Sequence, residues 1–239
     1  MNYQSTFKRY ELKYILTKQQ KEKILQTMQN YMKLDDYGRT TIRNIYFDTQ
    51  NFRLARRSLE KPVYKEKLRL RSYKAVGPNE PVFVELKKKY DSVVYKRRLV
   101  MPEKQAADTF KNNLPIPVKS QIADEINYFR QYYKTLRPAV FLSYEREAYY
   151  SLDGSDFRVT FDENILYREN DFSLDSKTYG IPLIKNTQTL MEIKTSGGYP
   201  LWMCHVLNDL SIFKASFTKY GSAYINIMNN KAKGMILYA

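Results

Sequence analysis

Lys65, Lys67, Arg69 and Arg71 recur at every second position, and the same spacing returns at Lys87 and Lys89, at Lys96 and Arg98, and at Glu192 and Lys194. It also groups Arg9 with Glu11 and Lys13, Tyr144 with Arg146, and Arg158 with Thr160 and Asp162. Successive side chains of a strand point to opposite faces, so each set shares one face. Arginine forks and lysine point charges placed this way hold phosphate oxygens without any covalent chemistry. The few acids that interrupt them are Glu11, Glu85, Asp162 and Glu192. On one strand the pattern would describe an ordinary solvent face. Repeated over many strands it sets like charges side by side, a cost that a bound polyanion relieves. The spacing therefore predicts an interior lined for a phosphate-rich anion.

Composition agrees. The 239 residues carry 40 Lys and Arg against 25 Asp and Glu, a formal charge of +15, which points to a polyanionic partner. Hydrophobic residues make up 43% and charged residues 27%, the composition of a folded chain, and no linker or fixed-period repeat divides it, so one domain over residues 1–239 is expected. The single cysteine, Cys204, permits no internal disulfide, and it stands beside the single histidine, His205, in an apolar run that reads as helix packing. Histidine-based triads, zinc-water hydrolysis and phosphohistidine chemistry are thereby disfavoured. Neither GxxxxGK[ST] nor GxGxxG occurs, and Gly197-Gly198 reads as a plain turn, so phosphate recognition falls to side chains. No run approaches the roughly 20 apolar residues of a membrane span, and residues 1–13 are too polar for a secretory signal, so a cytoplasmic location is expected.

The elements that must position these charges follow from periodicity. Runs of β-branched and aromatic residues predict eight strands: Phe7–Leu16, Thr41–Asp48, Val63–Tyr73, Val82–Lys89, Val93–Met101, Ala139–Tyr149, Phe157–Asp162 and Thr189–Thr195. Tyr90-Asp91-Ser92 joins the clearest hairpin. Helical spacing predicts Lys18–Met32 behind an N-cap at Thr17, a second stretch opening at Pro102-Glu103, then Ser120–Lys134, Pro200–Ile212 and Thr218–Asn229. Strands that mostly follow one another argue for an antiparallel sheet, and eight suffice to close it, so the expected fold is α+β, a closed eight-stranded antiparallel β-barrel with flanking helices.

Nine segments in order carry a further signal: Arg9-Tyr10-Glu11-Leu12-Lys13-Tyr14, Ile45-Tyr46-Phe47-Asp48, Lys67-Leu68-Arg69-Leu70-Arg71, Val84-Glu85-Leu86-Lys87, Tyr95-Lys96-Arg97-Arg98, Tyr144-Glu145-Arg146, Arg158-Val159-Thr160-Phe161-Asp162, Met191-Glu192-Ile193-Lys194 and Phe217-Thr218-Lys219-Tyr220. From about Phe7 to Tyr224 the chain resembles the VTC domain, the polyphosphate polymerase branch of the triphosphate tunnel metalloenzymes. The resemblance implies a tunnel that binds ATP and a growing polyphosphate chain. It also implies that Lys13, Arg69, Arg71, Lys87, Lys96, Arg146 and Arg158 contact phosphate, with Lys219 added by the C-terminal helix. Glu192 matches the family's ligand for Mn²⁺ or Mg²⁺. Lys67, Lys194 and Thr218, which stands where the family often has serine, complete the expected phosphate contacts. The SPX domain and membrane segment of eukaryotic members have no counterpart in this sequence, so a stand-alone bacterial-type member is expected, with any membrane partner a separate chain.

Phosphoryl transfer needs charge neutralisation and alignment more than covalent help. In the polymerase reading a polyphosphate terminus attacks the γ-phosphate of ATP. In a hydrolase reading water attacks instead, with Glu85 as a possible base. A third reading is a non-catalytic module for polyphosphate or another polyanion. A tunnel open at both ends favours synthesis, and a plugged one favours cleavage of short triphosphates. Inward-facing charge suits inorganic polyphosphate or triphosphate rather than duplex nucleic acid.

Overall fold

The computed structural model describes residues 6, 7, 10–91 and 93–236. Its elements begin with β1 (Thr6–Phe7), β2 (Tyr10–Thr17), α1 (Lys18–Met28), β3 (Met32–Leu34) and β4 (Thr40–Asp48). Next come α2 (Arg53–Leu59) and the meander β5 (Tyr64–Ser72), β6 (Pro81–Tyr90) and β7 (Val93–Pro102). Two helices, α3 (Glu103–Lys111) and α4 (Gln121–Tyr133), precede β8 (Arg137–Ser151) and β9 (Arg158–Arg168). β10 (Ile181–Pro182), β11 (Gln188–Thr195), α5 (Leu201–Asp209) and α6 (Lys219–Ile236) complete the order. All eight expected strands are present as β2, β4, β5, β6, β7, β8, β9 and β11. The β6–β7 hairpin forms with Tyr90 opposite Val93, while Lys8, Arg9 and Ser92 lie outside the described residues.

Local chemistry explains most boundaries. Thr17 caps α1 by accepting from Gln20 N at 3.2 Å, and the Gln20 side chain returns a bond to Thr17 N at 2.9 Å. α1 stops at Met28, short of the expected Met32, because Met32–Leu34 pairs with β8. α2 was not expected. Its anchor, Asp48, sits several residues upstream, where Oδ1 accepts from Leu54 N and Oδ2 from Ala55 N, each at 2.9 Å. Phe52 takes a left-handed conformation at its N-terminus, so no adjacent capping residue announces the helix. α6 continues past Asn229 to Ile236. In α5 the buried residues are Met203, Val206 and Leu207, whereas Cys204 and His205 are exposed, contrary to the expected packing role.

The sheet is antiparallel, in the order β1-β7-β6-β5-β4-β8-β9-β11-β2, with β10 on β9 and β3 on β8. It does not close through hydrogen bonds among the described residues, which corrects the closed barrel. β2 pairs with β11 at one end of the path and β1 pairs with β7 at the other, so one N-terminal stretch stands at both edges. The sheet nevertheless curls around an interior, since Lys87 of β6 reaches Glu11 of β2 at 3.3 Å.

Outward-facing Leu68, Leu70, Val82, Val84 and Leu86 form one core beneath α3 and α4. Tyr14, Leu16, Val159, Phe161, Met191 and Ile193 form another beneath α1 and α5. A third core lies on the inward face. Ile42, Tyr46, Val140, Leu142 and Leu190 share their strand faces with the charged lining, yet they pack against Phe52 and Ala55 of the α2 segment and Tyr220, Ala223 and Ile227 of α6. Helix side chains thus occupy one end of the interior. Among the described residues no helix is long and apolar enough to cross a membrane.

Candidate functional site

The charged part of the interior is organised around four carboxylates. Glu85 on β6 is 1% exposed and stands between Arg69 on β5 and Arg98 on β7, its two partners in strand register. Arg69 reaches Oε2 at 2.7 and 2.9 Å, Arg98 reaches Oε1 at 2.5 and 2.8 Å, and Lys96 reaches Oε1 at 2.8 Å. Arg71 lies 3.9 Å away. Burial alone would raise this carboxyl, but Arg69, Arg71, Lys96 and Arg98 hold it well below the usual range. Lys96 responds oppositely: burial, aided by Arg98 and Arg69, lowers it to about 7 against the pull of Glu85.

Asp162 on β9 is fully buried and forms a fork with Arg146 of β8, two bonds of 2.6 Å, while Lys219 closes on it at 2.5 Å. Glu192 on β11 lies next to this pair. Its Oε1 accepts from Lys219 at 2.8 Å with Lys13 at 3.5 Å, and its Oε2 faces Lys194 at 3.4 Å and Arg146 at 3.5 Å. Burial opposes ionisation of both acids, and the surrounding cations overcome it. The fourth acid, Glu11, is depressed chiefly by Lys87 and meets Lys13 at 3.5 Å.

Among the described residues Lys67 has no such carboxylate. Its Nζ donates to the Thr218 hydroxyl at 3.1 Å, and burial together with Lys13, Lys87, Lys65 and Arg69 lowers it well below the ordinary lysine value. Among the described residues, ten cations, Lys13, Lys67, Arg69, Arg71, Lys87, Lys96, Arg98, Arg146, Lys194 and Lys219, therefore share this lining with the four carboxylates. The excess is positive, and it points inward.

Of the residues singled out in the sequence, Lys13, Lys67, Arg69, Arg71, Lys87, Lys96, Arg146, Glu192, Lys194, Thr218 and Lys219 come together here. Arg158 does not join them: it opens β9 opposite Lys194, is exposed, and makes no ion pair among the described residues. Sequence reasoning placed Arg98 on the right face without assigning it to the site. It missed Asn44 and Tyr46, which accept from Arg71 Nε and Arg69 Nη1, each at 2.9 Å. Their signal was faint: Asn44, Tyr46 and Asp48 alternate with Ile45 and Phe47 only over the last part of β4.

A model of the VTC domain matches residues 8–227. No curated protein matches the chain. Among solved structures, a Bacillus halodurans protein described as a candidate adenylate cyclase superposes with a TM-score of 0.56 at 14% identity, covering 90% of this chain and 96% of that one. A Hippeastrum protein, described as a candidate adenylyl cyclase with a dominant triphosphatase activity, gives 0.52 at 15% identity, covering 88% and 92%. These likenesses show a shared tunnel fold.

Such a fold implies a divalent ion, and the residues can be tested for one. No three acidic, histidine or cysteine side chains among the described residues could enclose a metal. Glu192 fits instead as the one protein carboxylate of an ion otherwise ligated by phosphate and water, the usual habit of Mg²⁺ and similar hard ions. Glu11 and Asp162 stand within electrostatic reach of Glu192, with cations holding both carboxyls below the usual range, which makes this the most acid-rich part of the interior.

Proposed function

The chain belongs to the VTC domain family, and from that premise we propose that it is a polyphosphate polymerase-like phosphotransferase, moving the γ-phosphate of ATP onto a polyphosphate chain. The observation that carries this reading is the inward excess of ten cations over four carboxylates, on a fold shared with triphosphate-tunnel proteins. Arg69, Arg71, Lys87, Lys96 and Arg146 neutralise the phosphates. Lys13, Lys67, Lys194 and Lys219, with the Thr218 hydroxyl, hold the chain in line, and Arg158 meets it at the rim. The terminal oxygen of the acceptor attacks the γ-phosphorus. A new P–O bond forms as the β–γ bridging bond breaks, and ADP leaves with the electron pair. A hard divalent ion at Glu192, Mn²⁺ or Mg²⁺, supplies further charge neutralisation when bound.

Hydrolysis is the second reading, favoured by the helix side chains that fill one end of the interior. Glu85 is a poor base for it, since four cations hold its carboxyl deprotonated and reluctant to accept a proton. Incubation of the pure protein with ATP and Mn²⁺ tests the proposal. Long polyphosphate with matching ADP is the expected product. Release of orthophosphate alone would replace the polymerase with the hydrolase, and tight binding without turnover would leave only a polyanion-binding module.

A further inference from the structure

β5, β4 and β8 lie side by side in the sheet, and strand alternation sends Arg71, Asn44 and Tyr144 inward, where Arg71 donates to both of the others at 2.9 Å. Their chain neighbours Ser72, Arg43 and Ser143 therefore face outward, away from the charged lining. Register puts these three in one row, with Arg43 opposite Ser72 on one side and opposite Ser143 on the other. Arg43 Nε, Ser72 Oγ and Ser143 Oγ are all buried, and none has a hydrogen-bond partner among the described residues. Both serines are 1% exposed. Buried polar groups are nearly always satisfied, so three orphans in one row mark a place shaped for a group that brings acceptors.

The surroundings say what charge that group carries. Burial lowers the Arg43 guanidinium below its ordinary value, Asp175 pulls it back, and Arg168 adds to the lowering. Arg168 is itself committed, because it donates to the carbonyls of Asn170, Asp171 and Tyr179 and so pins the loop after β9. That loop lies over the neighbouring row, where Leu174 packs with Leu70, Ile45 and Phe141. Asp175 is exposed on the loop, and among the described residues no carboxylate closes on Arg43. Water could satisfy the hydroxyls but would leave a half-buried cation without a counter-charge, whereas an oxyanion answers both. β5 and β8 stand about 10 Å apart, two inter-strand spacings, and one tetrahedral ion spans that width with a hydrogen bond to each side. A carboxylate, with two oxygens in one plane, serves donors on three strands less well. Asp175 at the rim repels long, highly charged chains.

We propose that Arg43, Ser72 and Ser143 form an outer-face site for a single orthophosphate ion, separate from the interior. The site stands independently of the triphosphate reading, because the sheet divides the two faces.

Equilibrium dialysis of the full chain with radiolabelled orthophosphate at matched ionic strength tests this, with tripolyphosphate added to occupy the interior. One phosphate per chain should remain bound in its presence. Arg43→Gln should weaken that phosphate about tenfold or more, and the double variant Ser72→Ala, Ser143→Ala about threefold or more. Lys185→Gln removes equal charge at an exposed position and should leave it unchanged. Without phosphate neither site variant should melt below the parent, because each removes an unsatisfied buried group. Added phosphate should then raise the parent's melting temperature more than theirs. Sulfate, a tetrahedral isostere, should compete, and acetate at the same concentration should not. Complete displacement by tripolyphosphate would return the ion to the interior and overturn the proposal. Undiminished binding in Arg43→Gln, or an equal loss in Lys185→Gln, would overturn it too, as would displacement by acetate, which would make this a carboxylate site. If tripolyphosphate does not bind at all, the triphosphate reading of the interior fails, and the comparison of Arg43→Gln with the parent still decides the outer site.

Discussion

Lys219, in the first turn of α6, donates to Glu192 Oε1 at 2.8 Å and also lies 2.5 Å from Asp162. One ammonium thus joins two buried acids on adjacent strands and fastens the C-terminal helix to the charged interior. The acids keep it protonated, raising it above the ordinary lysine value despite burial. For Glu192 the observed role of ion-pair partner and the expected role of metal ligand separate cleanly.

Glu192→Gln keeps the shape and removes the charge. Lys13, Lys194, Lys219 and Arg146 are then freed toward phosphate, so triphosphate binding without metal should tighten. Mn²⁺-dependent turnover should fall by orders of magnitude. Turnover preserved within about tenfold would remove Glu192 from the metal role.

Glu85→Gln leaves Arg69, Arg98, Lys96 and Arg71 without their shared counter-charge. Removal of one partner from a buried ion pair costs about 3–5 kcal/mol, and denaturant titration should show a loss of that order. Tripolyphosphate should raise the melting temperature of this variant more than that of the parent, because the ligand replaces the missing negative charge. An equal rise in both would separate Glu85 from the ligand-binding charges.

Arg69→Ala should be milder for the fold, because Arg98 and Lys96 remain on Glu85. Triphosphate affinity should fall by about 2 kcal/mol, the scale of one lost charge-assisted contact. Unfolding without a change in affinity would make Arg69 a structural brace.

Lys96 gives a pH signature. Its folded-state value near 7 lies below the 10.5 of a free lysine, so the unfolded chain binds more protons than the folded one between those limits. Stability should therefore rise with pH across that window. A bound phosphate would draw the proton back, and triphosphate binding near pH 8 should take up protons, read by calorimetry in buffers of different ionisation enthalpy. Lys96→Arg should reduce the uptake, leaving the share of Lys67, which burial and neighbouring cations also lower. Uptake left undiminished would assign it elsewhere.

Tyr220 stacks on Tyr46 with ring centroids 4.6 Å apart and donates to Asp48 at 2.6 Å, joining α6 to the anchor of α2. Tyr220→Phe keeps the stack and deletes the hydroxyl, and should cost about 1.5–3 kcal/mol, the range for hydrogen bonds to charged groups. A loss well below that range by chemical denaturation would show that the packing holds α6 without the bond.

Period-two alternation made the lining legible, because the pleat alone decides which side of Val63–Tyr73 or Val82–Lys89 a residue faces. It could not reveal where the lining stops being charged. Tyr46, Leu142 and Leu190 face inward like their charged neighbours, and only the positions of α2 and α6 turn that end into a core. The edges were equally illegible: strand count suggested a closed barrel, whereas Thr6–Phe7 pairs with β7 at one edge and β2 ends the other, an arrangement that no local signal encodes. The pairing of Glu192 with Lys219 was hidden for the same reason: these residues meet only when α6 docks.

The β11–β2 ladder joins residues 10–17 to residues 188–195, across about three-quarters of the chain. Contacts so distant in sequence are slow to form, because a large loop must be ordered before they stabilise anything. On the ribosome β2 would emerge first and wait for its partner until synthesis is almost complete. Throughout that interval the lysines and arginines of β5, β6 and β7 would face solvent in an unfinished wall, open to any polyanion nearby. Phosphate-rich molecules would then act as folding counter-ions before they act as ligands, and refolding in vitro should quicken when polyphosphate is present.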